Sequence, residues 1–349
     1  MTRCSECWMP DSRPGSRFVD GVCGACRNFA ARKEVDWSER GRELDEVLSR
    51  FRGDRPYDCI VAVSGGKDSH RLVKEIVDRN MRPLLVTVND SFTHTTAGTQ
   101  NLRNLITKFN LNHWEYTISH DLFVRATRWA FEQTGEALKF VEYAIYTIPY
   151  RLAQQMGIGL VVFGENSAFE YGGTEDNTYV ANPDLNAMVR KIESEYEFWS
   201  EGGISPSEVD TIKPKVVDYP LVMYMSYFIP WSSLDNYEIA KGLGFRDIEG
   251  EWDRKGTIEN FEQIDSYAYM VHLWLKYPKF GFQRVSDIAS RRVREGRLSL
   301  EEAKLLISEK DRELDPVALK DFCSTCGYTE EEFWKIVNEA QWHTFAGKL

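Results

Sequence analysis

The sequence predicts an α/β protein: a parallel sheet with flanking helices, preceded by a small cysteine ribbon and followed by a mostly helical region. Three observations predict it. Short apolar runs alternate with segments of helical period between residues 57 and 164, which is the pattern of βαβ units. One such run, Cys59-Ile60-Val61-Ala62, leads directly into the glycine-rich turn Val63-Ser64-Gly65-Gly66-Lys67-Asp68-Ser69. Two C-x₂-C pairs, Cys4/Cys7 and Cys23/Cys26, stand ahead of the first strand.

Residues 1–34 read as the ribbon. Two closely spaced knuckles have the ligand spacing of a tetrahedral four-thiolate zinc site, and Pro10, Pro14, Gly15 and Gly21 supply the turns between them. Met1-Thr2-Arg3 leads into the first knuckle with no apolar stretch, so a reducing, cytoplasmic setting is expected, where metal is favoured over disulfides. Four thiolates close the coordination sphere, and the expected role is a structural one, scaffolding an interface or a wall of the site.

Residues 35–204 read as the sheet domain. Leu44, Val47, Leu48 and Phe51 mark an amphipathic helix over Asp36–Phe51. Strands are expected at Tyr57–Val63, Arg82–Asn89, Asn112–Ile118 and Ile158–Gly164. Helices are expected at Ser69–Asn80, Thr99–Asn110, His120–Gln133 and Val141–Gln155. In such a sheet ligands bind beyond the C-terminal strand ends, where the glycine turn, Asn89-Asp90 and Glu165-Asn166 all fall.

Residues 205–349 read as a continuation of the sheet edge and a helical region. Ser205–Glu208, Ser299–Glu302 and Thr329–Glu332 each have the serine or threonine and glutamate of a capping box. The stretch Tyr219–Trp231 is too aromatic for an ordinary loop. It reads as core between lobes or as an exposed partner patch.

The 349 residues include 43 Lys+Arg and 54 Asp+Glu, a formal net charge of −11, with 42% hydrophobic and 13% aromatic residues. This composition excludes general disorder, and no run is long enough to span a membrane. The acidic balance argues against a partner whose many phosphates must be neutralised. Nucleic acid is not the expected partner.

Ser64, Gly65 and Gly66 let backbone N–H groups converge, and the following helix adds its positive end, so the turn is a phosphate cradle. Lys67 can place charge on the phosphates and Asp68 can hold Mg²⁺. The string lacks the G-x-x-x-x-G-K-[ST] spacing of a Walker A loop. It resembles the PP-loop of ATP pyrophosphatases, of the adenine nucleotide alpha-hydrolase-like fold.

The ribbon ending Asp20-Gly21-Val22-Cys23-xx-Cys26, the loop Val63–Ser69, Gly164-Glu165-Asn166, Glu170-Tyr171-Gly172-Gly173 and Lys279-Phe280-Gly281-Phe282-Gln283-Arg284 together resemble the N-acetyl sugar amidotransferase family. That resemblance covers nearly the whole chain. It implies an ATP-dependent, AMP- and pyrophosphate-forming enzyme that turns an acetamido group of a nucleotide-activated sugar into an acetamidino group in surface polysaccharide (O-antigen) or nonulosonic acid synthesis. It also implies ATP, Mg²⁺ and Zn²⁺ as cofactors, and ammonia from a separate glutaminase and cyclase-like pair.

Under that resemblance Val63, Ser64, Gly65, Gly66, Lys67, Asp68 and Ser69 hold the phosphates, and the backbone of Val88 and Asn89 meets adenine. Lys67, Asp68 and Glu165 are the catalytic candidates. Glu165, at a strand end, binds metal, steers ammonia or caps the next loop. Glu170 and Tyr171 face the sugar or form an ordinary turn, and Lys279 and Arg284 grip its anionic part, arginine being better suited to a bidentate role. Lys213 and Lys215 reach phosphate or are solvated. His94, His113 and His120 have no ligand spacing and read as structural.

Three cysteines remain. None of Cys59, Cys323 or Cys326 has the setting of a glutaminase nucleophile, so ammonia is expected from outside the chain. Cys323-Ser324-Thr325-Cys326 departs from the family pattern and reads as a chance pair on a helix or a metal half-site. A tRNA-thiolating enzyme, which joins a PP-loop to a ribbon, is the alternative, and Cys59 inside a buried strand argues against it. A homodimer is compatible with the sequence.

Overall fold

A computed structural model describes residues 1–166, 170–173, 185–216 and 220–342. Two short strands, β1 (Phe18–Val19) and β2 (Val22–Cys23), pair antiparallel and lead into α1 (Gly24–Ala31). Then α2 (Trp37–Ser49), capped by Asp36, turns Leu44, Val47 and Leu48 inward.

The central sheet is β3 (Cys59–Ala62), β4 (Pro83–Asn89), β5 (His113–Thr117), β6 (Leu160–Phe163) and β7 (Leu221–Tyr224), in the order β5-β4-β3-β6-β7. Every pairing is parallel. Central strands buried on both faces must be apolar throughout, as β3 and β6 are. Successive residues point to opposite faces, so Ile60 joins one core with α5 (His120–Thr134) and α6 (Lys139–Met156). Val61 joins the other, with α2 and α3 (Lys67–Asp78).

The sequence places a continuation of the sheet edge after residue 205 without locating a strand there. The segment Leu221–Tyr224 lies in the aromatic stretch and pairs with β6 at the sheet edge. Val222, Met223, Met225, Phe228, Ile229 and Trp231 are buried, so the described part of the stretch is core and not an exposed patch; Tyr219 lies outside the described residues. A strand of four residues leaves too little alternation to mark it in the sequence.

After β4 the chain runs into α4 (Thr96–Phe109). Beyond β7, helices Ser233–Gly242, Tyr269–Trp274, Arg284–Arg294, Leu300–Lys310, Pro316–Cys326 and Glu330–Glu339 follow. All three capping boxes form. From β3 the strand order runs outward to β4 and β5 on one side and to β6 and β7 on the other. The reversal point lies between β3 and β6, where a crevice opens at the C-terminal ends.

Candidate active site

The loop after β3 is built by two constraints on glycine. Gly65 has φ +92°, and a Cβ there would stand 2.7 Å from the Leu102 amide nitrogen of α4. Only glycine meets both demands. Gly66 caps α3, which begins at Lys67, two residues earlier than its expected start at Ser69. Lys67 and Asp68 therefore sit in the first helical turn. The Ser64 amide donates to Ser69 Oγ (3.0 Å) and the Gly66 amide to Ser64 Oγ (3.3 Å), so the hydroxyls hold the turn open.

This loop forms one end of a cavity of about 520 Å³. Val88 and Asn89 line it from β4, Arg103 and Thr107 from α4, and Phe261 and Tyr269 from the C-terminal region. His94 and His113, expected to be structural, also line it. His113 Nε2 meets Thr87 Oγ1 at 2.8 Å, and Thr87 Oγ1 donates to the Val63 carbonyl (2.8 Å). Asn89 Nδ2 donates to the Glu115 carboxylate.

Lys67 is buried, and its Nζ lies 2.5 Å from Asp68 Oδ2 and 2.9 Å from Glu262 Oε1. Asn236 Nδ2 donates to Asp68 Oδ1 at 2.8 Å. Burial acts to raise the Asp68 pKa, but the Lys67 ammonium and these hydrogen bonds outweigh it and hold the group below its ordinary value. An anionic carboxylate beside the phosphate cradle is the donor chemistry Mg²⁺ takes.

Glu165 follows β6 across the crevice. Burial, then the negative charges of Asp68 and Glu170, push its pKa up to about 7. The structure thus brings Lys67, Asp68 and Glu165 to one place.

Glu170, Tyr171 and Arg284 also meet. Arg284 Nη1 is 3.4 Å from Tyr171 Oη, and Glu170 forms an ion pair with Arg32 of the ribbon region. The Arg13 guanidinium lies 4.4 Å over the Tyr171 ring. Lys279 does not join them: its Nζ pairs with Glu136 at 3.0 Å. Lys213 pairs with Glu193 and Asp210.

Several residues at the site carried no motif. Ser233 and Asn236 come from the helix after β7. The strap Phe261–Ser266 delivers Glu262, while the Ile264 carbonyl accepts from Thr95 Oγ1. Gly98 is needed where the strap crosses α4, because a Cβ there would stand 2.8 Å from Asp265 Cα. Burial, followed by the charge of Asp90, raises Asp265 to about 6. An acidic strap in a chain already rich in acid leaves no sequence signal.

The four ribbon cysteines are buried with all Sγ atoms within 4.8 Å of one another. Cys4 and Cys26 are 3.8 Å apart, Cys7 and Cys23 3.6 Å. Zn–S bonds of 2.3 Å in a tetrahedron put sulfurs about 3.8 Å apart, so the donors fit zinc. Arg294 Nη1 lies 3.6 Å from Cys7 Sγ. Phe282 packs into the cysteine cluster, and Arg13 pairs with Asp287. The ribbon therefore leans on helix Arg284–Arg294 and forms a wall beside Tyr171.

Cys59 is fully buried in β3, and Cys323 and Cys326 lie buried on the helix Pro316–Cys326. Among the described residues, Cys4, Cys7, Cys23 and Cys26 are the one group of three or more ligands close enough to share a metal. No helix of the described residues is long and apolar enough to cross a membrane.

Residues 255–345 match the family model for the C-terminal domain of LPS biosynthesis protein WbpG-like proteins. This match supports the resemblance to N-acetyl sugar amidotransferases, and it contains the strap and the helix Arg284–Arg294. No curated protein matches the chain. Among solved structures, the chain is similar to an NMN synthetase from Francisella tularensis at 14% identity, covering 84% of this chain and 94% of that one, with TM-score 0.34. It is also similar to a U34-tRNA thiolase from Methanococcus maripaludis, solved with its [4Fe-4S] cluster, at 11% identity, covering 94% and 96%, with TM-score 0.34.

Proposed function

We propose that the chain is the synthetase component of an N-acetyl sugar amidotransferase, acting in the cytoplasm on a nucleotide-activated sugar for lipopolysaccharide O-antigen or related surface polysaccharide synthesis. The observation that carries this reading is the cavity at the phosphate loop, lined also by the strap of the segment that matches the lipopolysaccharide biosynthesis family.

An amide carbonyl is a poor electrophile, because nitrogen donation stabilises it. Its oxygen attacks the α-phosphorus of ATP: the new P–O bond forms as the bond to the β-phosphate oxygen breaks, and pyrophosphate leaves. Ammonia then adds to the carbon of the O-adenylyl imidate, the C–O bond breaks, and AMP departs with the former carbonyl oxygen, leaving a cationic amidine.

The protein's share is alignment and charge. The Gly65 amide and those at the start of α3 hold phosphate, and Lys67 meets negative charge as pyrophosphate leaves. Asp68 would hold Mg²⁺, which neutralises the phosphates and orients them. The wall of β4 at Val88 and Asn89 accepts adenine. Glu165, with a pKa of about 7, is suited to take a proton as ammonia adds. Tyr171, whose hydroxyl Arg284 meets at 3.4 Å, lies where the sugar would approach.

The test is incubation with ATP, Mg²⁺ and a panel of nucleotide-activated diacetamido sugars, followed by mass spectrometry for replacement of oxygen by NH. High ammonium should support the reaction, and glutamine should support it only after addition of the glutaminase and cyclase-like pair. Efficient glutamine-dependent amidination by the chain alone would overturn the synthetase assignment. Inactivity on every acetamido sugar, with thiolation of tRNA, would overturn the whole reading.

A further inference from the structure

One carboxylate oxygen in this site is crowded by donors. On Glu262 Oε1, Lys67 Nζ lies at 2.9 Å and Arg291 Nη2 at 2.7 Å, and Ser233 Oγ donates to the same oxygen. Arg284 Nη2 pairs with the other oxygen. A carboxylate oxygen accepts about two good hydrogen bonds through its two lone pairs. The hydrogen bonds from Ser233 and Arg291 already fill that capacity, and the Lys67 ammonium crowds the same oxygen. Arg284 Nε is a further buried donor with no hydrogen-bond partner among the described residues.

A tetrahedral phosphoryl group would present three terminal oxygens to these donors in place of one crowded carboxylate oxygen. The pocket also has the right neighbour, since Lys67 belongs to the phosphate loop. The strap that inserts Glu262 carries a strained residue beside it: Gln263 has φ +47°, a left-handed conformation in a non-glycine residue, of the kind found at segments with two positions.

We propose that Lys67, Ser233, Arg284 and Arg291 form an anion pocket that takes a phosphoryl group of the departing pyrophosphate, and that the Glu262 carboxylate occupies this pocket until the phosphoryl group displaces it. Arg291 is thereby assigned as a phosphate ligand supplied by the C-terminal segment. The inference rests on the phosphate-binding reading of the loop and is independent of which acceptor is adenylylated.

The test is pyrophosphate binding by calorimetry to the full, metal-loaded chain at fixed Mg²⁺ and salt. An internal carboxylate filling the pocket nine-tenths of the time or more lowers apparent affinity at least about tenfold, so Glu262→Gln should bind pyrophosphate tighter by that factor. The gain should vanish in the double variant Glu262→Gln/Arg291→Gln. Asp58→Asn removes a buried carboxylate just before β3 that pairs with Arg82 (2.9 Å), away from the pocket, and should leave affinity within about twofold. Weaker binding by Glu262→Gln, or an equal gain in Asp58→Asn, would overturn the pocket. Should Glu262→Gln fail to fold, Arg291→Gln alone decides: a loss of about tenfold supports the assignment, and affinity within twofold of wild type overturns it. A chain that binds pyrophosphate in this way but amidinates no sugar would leave the pocket standing and remove the proposed function.

Discussion

Substituting Gly172 with alanine tests whether the ribbon is welded to the substrate side of the site. Gly172 has φ +75°, and a Cβ there would stand 2.3 Å from the Ala25 amide nitrogen and 2.7 Å from the Gly24 carbonyl carbon. These are backbone atoms, so no side chain can swing aside. The left-handed conformation alone costs an L-residue about 1–2 kcal/mol, and forcing loop and ribbon apart adds about 1–3 kcal/mol. Gly172→Ala should therefore lose about 2–5 kcal/mol, the sum of those ranges. Gly203→Ala is the control, because it has φ +74° with nothing within 4 Å and pays only the conformational part. The assays are the urea midpoint of the zinc-loaded chain and the rate of zinc release to a chromophoric chelator. Equal midpoints for the two variants, with zinc release within about twofold of wild type, would refute a tight contact.

Three further outcomes are expected. Asp68→Asn should cut substrate-dependent pyrophosphate release by at least about a hundredfold through loss of the Mg²⁺ anchor, with the circular dichroism spectrum unchanged. Cys23→Ser or chelation should release zinc and lower the urea midpoint, because a bound structural zinc contributes on the order of 10 kcal/mol of folding free energy; a well-folded variant that is chemically dead would instead mark the metal as catalytic. Asp311 is buried and pushed up to about 6, chiefly by burial, above the ordinary 3.8. Between those values the folded chain holds a proton the unfolded chain releases, so this group's contribution to stability falls as pH rises from about 4 to 6, by at most about 3 kcal/mol. Asp311→Asn should flatten urea stability across that window relative to wild type, and parallel curves would contradict the burial argument.

The sheet and its loop were legible because each has a local cause. β3 is an apolar run buried on both faces, α2 shows its apolar stripe, and Gly65 satisfies a left-handed φ and a close approach at once. Two glycines before a lysine therefore carry a conformation as well as a composition. The position of the edge strand β7 was not legible, since four residues directly after a proline have no period to read. Glu262, Ser233 and Arg291 were hidden for a different reason. Their meaning lies in which oxygen they share, and residues 67, 233, 262 and 291 meet only through tertiary packing. Lys279 shows the converse: a basic residue in a recognisable string forms its ion pair with Glu136.

The pairing of Arg13 with Asp287 joins positions 274 residues apart. A ribosome adding about 5–20 residues per second needs roughly 15–55 s to make the second partner after the first. The ribbon, its cysteines included, is thus synthesised long before the helix on which it leans. During that interval its contact face is open to solvent, and metal can reach the thiols without crossing a finished wall. Metal loading is therefore expected to precede docking, and the ribbon's final seat records the completion of the chain.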